Sequence, residues 1–363
     1  MLKNILIFFL ISTSLYAVSL KELLNSIEVT NENYQAQQAL QQMAKKQYES
    51  ASKDNFPTLN LIGAYENNSK VLEHEPEDIL YGELKASYTL YDGGRITNNK
   101  LAKKSLHESQ KFNTQYLKQE IMLDVIREYF SFQNSKSAIE VLNYKINELD
   151  EQIRKSEILV KNDLATKDKL QALIASKKES LYDIETLKID LENSILQLSL
   201  LTGLDILPQD NDKLLEPIYK EEQRYDIEAK KLEAQSLKYN EKMHNYLPTI
   251  SINNSLKKQK YLDYDEIYND KLNNQISLQI NIPIFDFGKI SKDKEASQLE
   301  TLALNKEIEY KEKSIQIERK LALKSLESSK IKLDSAIAAL EATNTTYEFS
   351  KKRFDANLIS YTE

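Results

Sequence analysis

The sequence predicts a mainly α protein with a small β part, a tandem repeat of one plan: helix, two amphipathic strands, long helical hairpin. Three observations carry this. Only 6 Gly and 6 Pro occur in 363 residues, so helices run far before a breaker stops them. Four stretches alternate apolar and polar residues with period two, each over about nine positions, the length of a tilted strand crossing a bilayer. The landmarks of the first half also return, in order, in the second.

The first element is "MLKNILIFFLISTSLYAVS", with Lys3, an apolar run from Ile5 to Ile11, and small or polar residues ending at Ala17. Residues 1–17 are expected to be a signal peptide cut after Ala17. The run is too short for the roughly 20 residues of a spanning helix. With no cysteine, the exported chain has no disulfide and no site for an N-terminal cysteine lipid. No later segment reaches the length of a membrane helix, so any insertion into a bilayer must be by strands.

The body divides into a first repeat at 18–203, a connector at 204–219 and a second repeat at 220–363. Asp92 and Asp286 are 194 positions apart (286 − 92), as are Leu164 and Leu358 (358 − 164), while Pro57 and Pro248 are separated by 191 (248 − 57). Helix patterns at about 19–54 and 220–245 run into "FPT" and "LPT". Proline cannot continue a helix and biases its predecessor to extended backbone, so Pro57 and Pro248 mark strand starts.

The next elements are the strands. Leu59, Leu61 and Tyr65 share a face in the first copy, as do Ile250 and Ile252 in the second. After polar, Tyr-rich loops (66–82 and 260–270) come stricter alternations: Leu84, Ala86, Tyr88, Leu90, then Ile276, Leu278, Ile280, Ile282. Tyr65, Tyr81, Tyr88, Tyr91 and Tyr268 stand near strand ends, fitting either a lipid–water boundary or a solvated loop. Each second strand stops at a turn. There Gly93, Gly94 and Gly288 supply backbone angles closed to other residues, and Asp92 and Asp286 are placed to cap the following helix.

Arg95 to about Val160 contains no Pro or Gly, a rod on the order of 100 Å long at 1.5 Å per residue. Lys289 to about Phe354 is its counterpart. Ile315 with Ile317, Leu321 with Leu323 and Ile331 with Leu333 are each two apart, so they point to opposite sides of a helix. Two opposed stripes suit a helix with a neighbour on each flank. Four strands in lipid would leave two unpaired edges, each exposed group costing several kcal/mol, and are too few to close alone. Other copies must complete the sheet, in a number that this reasoning leaves open.

The duplicated unit, "LYDGGR" (90–95), "IFDFGK" (284–289), the "FPT"/"LPT" starts and "NDLATKDKLQA" (162–172) together resemble the TolC-like outer-membrane efflux proteins over essentially the whole mature chain. The resemblance implies a homotrimer with a 12-stranded barrel in outer-membrane lipid. It further implies a periplasmic α-barrel that docks on an adaptor and an inner-membrane transporter, in efflux or type I secretion. It places adaptor contacts at the hairpin tips, Leu164, Ala165, Thr166 and Leu358, Ile359, Ser360. The glycine common before such tips is missing; Asn162 and Asn357 stand there, and Asn tolerates left-handed angles. The sequence stops at Glu363, one position after the second tip pattern. The second returning helix and any gate residue it would carry are thus expected either to belong to a longer protein, the favoured reading, or to be lost in a natural truncation.

Other functions find little support. A net charge of −7 with interspersed signs is no nucleic-acid footprint. His74, His107 and His244 are scattered and read as exposed single residues, so no catalytic, cofactor or metal residues are assigned and the protein is read as not an enzyme. No G-x-G-x-x-G occurs. A periplasmic coiled-coil adaptor or scaffold is the competing reading; it explains the export signal and the rods but gives the four strands no role. The substrate is not written in the sequence.

Overall fold

The computed structural model describes residues 17–68, 77–205, 207–209, 224–262 and 272–356. Its elements, in order, are β1 (Ala17–Val18), α1 (Leu20–Thr30), α2 (Glu32–Ala51), β2 (Thr58–Asn67), β3 (Asp78–Tyr91), α3 (Arg95–Lys161) and α4 (Lys167–Thr202), followed by β4 (Leu207–Pro208), α5 (Tyr225–Met243), β5 (Thr249–Tyr261), β6 (Leu272–Asn281) and α6 (Lys289–Asp355). The repeat is kept in the long helices and in the hairpin register. α3 and α6 are each 67 residues long and start 194 apart (289 − 95). Thr58 faces Ser87 in the first hairpin and Thr249 faces Asn281 in the second, which is the same register carried over by 191 and 194.

The chain divides into two compact units, Met1–Gln298 and Leu299–Glu363. Over its described residues the second is the remainder of α6. The apolar side chains paired two apart on that helix, Leu321 with Leu323 and Ile331 with Leu333, are all exposed in the single chain.

In the first unit, the helix read across 19–54 is two helices broken at Asn31. Ser19 and Glu22 form a capping box at the start of α1. Asn31 then closes α1 and opens α2: its Oδ1 accepts from Tyr34 N at 2.7 Å, while its Nδ2 donates to the Leu201 carbonyl at 2.6 Å. An Asn side chain that satisfies backbone groups competes with helix continuation, which apolar periodicity does not register. Gly203 ends α4 at φ +66, and a Cβ there would lie 2.6 Å from the Thr30 carbonyl oxygen. Only glycine allows α4 to finish against the end of α1.

This junction holds the core. Leu20, Leu23 and Ile27 of α1, Tyr34 of α2, Ile121, Val125 and Tyr129 of α3 and Leu198 of α4 form one buried cluster. The Tyr129 hydroxyl donates to the Gln209 carbonyl, and β1 pairs in parallel with β4 beside it. β4 is a structured segment in what sequence reading took as a plain connector; the rest of 206–219, apart from Leu207–Gln209, lies outside the described residues. Elsewhere α3 packs on α4 and α5 through small buried residues, among them Ser105, Ser109, Ser180, Ala229 and Ser236, which permit close helix approach. The Ser109 hydroxyl donates to the Ala229 carbonyl at 2.8 Å.

Among the described residues no helix is long and apolar enough to cross a membrane. The signal peptide lies outside the described residues except for Ala17. The strands are longer than their sequence patterns, β2 running to Asn67, β3 from Asp78 and β5 to Tyr261; residues 69–76 and 263–271, with His74 and Tyr268, lie outside the described residues.

Candidate functional site

The four long strands form one antiparallel sheet in the order β2-β3-β5-β6. Directly opposed residues share a face, so the registers read across the sheet. Leu59 faces Ala86, which faces Asn254, which faces Ile276; the neighbouring row runs Leu61, Leu84, Leu256, Asn274. Tyr88, Ile252 and Leu278 extend the same face. The opposite face is polar: Asn60, Lys85, Ser255 and Gln275 form one row, and Ile62, Glu83, Lys257 and Asn273 the next. There Ser255 donates to Glu83 at 2.6 Å. One side is made for hydrocarbon and the other for water, as in a membrane barrel wall. β2 and β6, with 10 residues each, are edge strands of spanning length with no partner beyond them among the described residues.

The tyrosines divide by this geometry. Tyr65 and Tyr88 lie on the apolar face, and a bulge between Thr89 and Tyr91 turns Tyr91 onto it, opposite Ile250. Tyr81 is on the polar face, where Lys257 Nζ sits 3.8 Å from its ring centroid and its hydroxyl donates to Glu66 at 3.0 Å. A lipid-boundary role for Tyr81 is therefore excluded by the strand's parity.

Pro57 and Pro248 stand immediately before β2 and β5. At the other strand ends both turns use an Asp in the same way. Asp92 Oδ1 accepts from Gly94 N at 2.9 Å and its Oδ2 from Ile96 N. Asp286 Oδ1 accepts from Gly288 N at 3.0 Å and its Oδ2 from Ile290 N at 2.7 Å. The Ile290 N–H is the main cause that holds the Asp286 carboxyl below the usual range, aided by the Tyr246 hydroxyl at 2.9 Å. The same contact pushes the Tyr246 phenol up.

The two turns differ beyond the carboxylate. Gly93 and Gly94 have φ +72 and +80; Phe287 and Gly288 have φ +55 and +81. A Cβ on Gly93 would lie 2.7 Å from both Asn245 Oδ1 and Leu247 Cβ, whereas nothing stands within 4 Å of one on Gly288. Arg95 explains the crowding: it donates to the carbonyls of Asp92 at 2.6 Å, Asn245 at 2.9 Å and Leu247 at 3.0 Å, and to Thr249 Oγ1 at 3.2 Å. The first turn is thereby clamped to the start of β5. Sequence reading missed Arg95 and Asn245; only the "GR" after the Asp hinted at them.

At the hairpin tip, the last turn of α3 ends with Leu164 N donating to Leu159 O at 2.8 Å and Asp163 N to Val160 O at 3.2 Å. The left-handed residue is Asp163, φ +54, and not Asn162, whose side chain instead donates to Ile158 O at 2.9 Å. The C-terminal cap places the bend one residue later than the sequence suggested. Leu164 is 73% exposed, Thr166 is exposed and Ala165 half-buried. Thr166 bonds the Asp168 carboxyl and is the largest cause holding it low. Asn357, Leu358, Ile359 and Ser360 lie outside the described residues. His107 is buried in α3, with no hydrogen-bond partner on Nδ1, in contrast to the exposed position expected of it. Among the described residues no cluster suits a metal ion.

The outer membrane efflux protein family model matches residues 23–187. No curated protein matches the sequence. Among solved structures, CusC aligns with a TM-score of 0.81 at 17% identity, covering 96% of this chain and 85% of that one. The CmeC outer membrane channel of Campylobacter jejuni gives 0.81 at 16%, covering 94% and 78%. The outer membrane protein VceC of Vibrio cholerae gives 0.79 at 12%, covering 94% and 87%. The chain is thus similar to outer membrane efflux proteins in two ways, by the family model over most of the first repeat and by the fold of these channels over nearly its whole length.

Proposed function

We propose that the chain is the exit duct of a tripartite efflux or type I secretion system, passively conducting substrates from the periplasm to the exterior. The observation that carries this is the four-stranded sheet with one apolar and one polar face, unpaired at both edges among the described residues and leading into 67-residue helices. Three copies supply twelve strands and close the sheet, polar face inward; open edges in hydrocarbon leave N–H and C=O groups unsatisfied at several kcal/mol each. The exposed tip around Leu164 supports docking on a periplasmic adaptor, which links the duct to an inner-membrane transporter. The residues form a conduit and carry no reaction, so substrate choice rests with the transporter. The competing adaptor reading leaves the amphipathic sheet unexplained.

The test is membrane fractionation followed by planar-bilayer recording. Recovery with the outer membrane and stepwise conductance are expected; recovery in the soluble periplasmic fraction alone refutes the duct.

A further inference from the structure

Arg95 clamps the first turn to the start of β5 within one chain, and the repeat has a second turn and a second strand start of the same design. Carried over by 194, Arg95 becomes Lys289; carried back by 191, Asn245, Leu247 and Thr249 become Asp54, Phe56 and Thr58. These offsets are the ones that superpose the two hairpin registers. Lys289 follows edge strand β6 and Asp54 precedes edge strand β2, at opposite ends of the sheet order. They have no route to each other inside one chain.

We infer that the turn at 286–289 seats on residues 54–58 of a second copy of this chain, with the Lys289 ammonium against the second copy's Asp54 carboxylate. This rests on the oligomeric duct proposed above and adds how one copy recognises the next. Charge is the first argument. The internal joint sets an arginine fork on backbone carbonyls and a neutral Asn; the other joint offers an exposed Lys and an exposed Asp, whose carboxylate accepts from Asn99 Nδ2 only at a long 3.5 Å. Lysine is a compact point charge and cannot grip two carbonyls as the fork does, so an acid is the partner it fits.

Exposure is the second argument. Phe56 is 60% and Phe287 91% exposed, while the internal counterpart of Phe56, Leu247, is 46% exposed. Strand continuity is the third. β3 pairs with β5 down to Tyr91 opposite Ile250, but β6 stops at Asn281. Transposed, that register sets Ile280 opposite the second copy's Gly63 and Phe285 opposite its Leu59, so 282–285 becomes strand only on assembly. The joints differ at one point: Phe287 replaces the Gly93 that the internal joint crowds to 2.7 Å. Its side chain must pass beside the second copy's Phe56, and the ion pair takes over the grip that the backbone approach provides internally.

The chain has no cysteine, which makes the test clean. Asp54→Cys with Lys289→Cys, and separately Gly63→Cys with Ile280→Cys, are oxidised in outer-membrane preparations and run under denaturing conditions. Covalent ladders up to the full assembly are expected from both pairs. Lys289→Glu is expected to lower assembly yield several-fold, and adding Asp54→Lys to restore it. If the wild type is oligomeric but neither pair cross-links, the seating is wrong while the duct stands. Cross-links without charge-swap rescue overturn the ion pair. A monomeric wild type overturns both the seating and the duct.

Discussion

Arg95 holds Asn245 across 150 residues of sequence: its Nη2 donates to the Asn245 carbonyl at 2.9 Å and so ties the turn after β3 to the start of β5. The two repeats are joined at this point by a charged fork on backbone oxygens. Arg95→Ala removes charge-assisted bonds worth about 1.5–3 kcal/mol in sum once solvent replaces part of them. Arg95→Lys is expected to recover less than half of that, because it lacks the fork. Urea unfolding in detergent, followed by circular dichroism, measures both.

Gly93 and Gly288 have the same left-handed backbone but different surroundings. Gly288→Ala meets open space and is expected to cost only the left-handed penalty, about 1–2 kcal/mol. Gly93→Ala adds a 2.7 Å collision with Asn245 and Leu247, expected to cost a further ~1–3 kcal/mol. Equal unfolding midpoints for the two variants contradict the clamp.

Asp286 sets a pH dependence. Its carboxyl is held low in the fold, chiefly by the Ile290 N–H, so it contributes stability that is full above its unfolded value of about 3.9. That contribution is lost as pH falls through the lower folded value. The stability gap between wild type and Asp286→Ala is therefore expected to be constant from pH 7 to about 5 and to close on further acidification. A gap that widens in acid contradicts the assignment.

Asn31 is the hinge of the buried helical junction. Asn31→Ala removes the cap on Tyr34 N and strands the Leu201 carbonyl, expected to cost about 1–3 kcal/mol. Asn31→Asp keeps the cap but sets a buried carboxylate oxygen against the Leu201 carbonyl, and is expected to lower the melting temperature at least as much as Asn31→Ala.

The periodic features were legible in the sequence: four alternating strands, two breaker-free helices, and the turns at Asp92 and Asp286. Each depends on local pattern, and the repeat doubled every signal. What stayed hidden depends on contacts between segments far apart in sequence. The break at Asn31 is fixed by Leu201, the need for glycine at 93 by Asn245, and the burial of His107 by helix packing. For Tyr81 the sequence left a lipid boundary and a solvated loop open; its place on the polar face with Glu83 and Lys257 decides between them. The tip bend shifted from Asn162 to Asp163 because capping bonds, and not residue preference alone, choose the left-handed position.

The most direct test of the account is the number of chains in the assembly extracted from the outer membrane, counted by native mass spectrometry in detergent. Three are predicted, the number that the resemblance to the TolC-like proteins implies, with four strands from each chain in a ring of twelve. A single chain, or any species that leaves the edges of β2 and β6 unpaired, contradicts it.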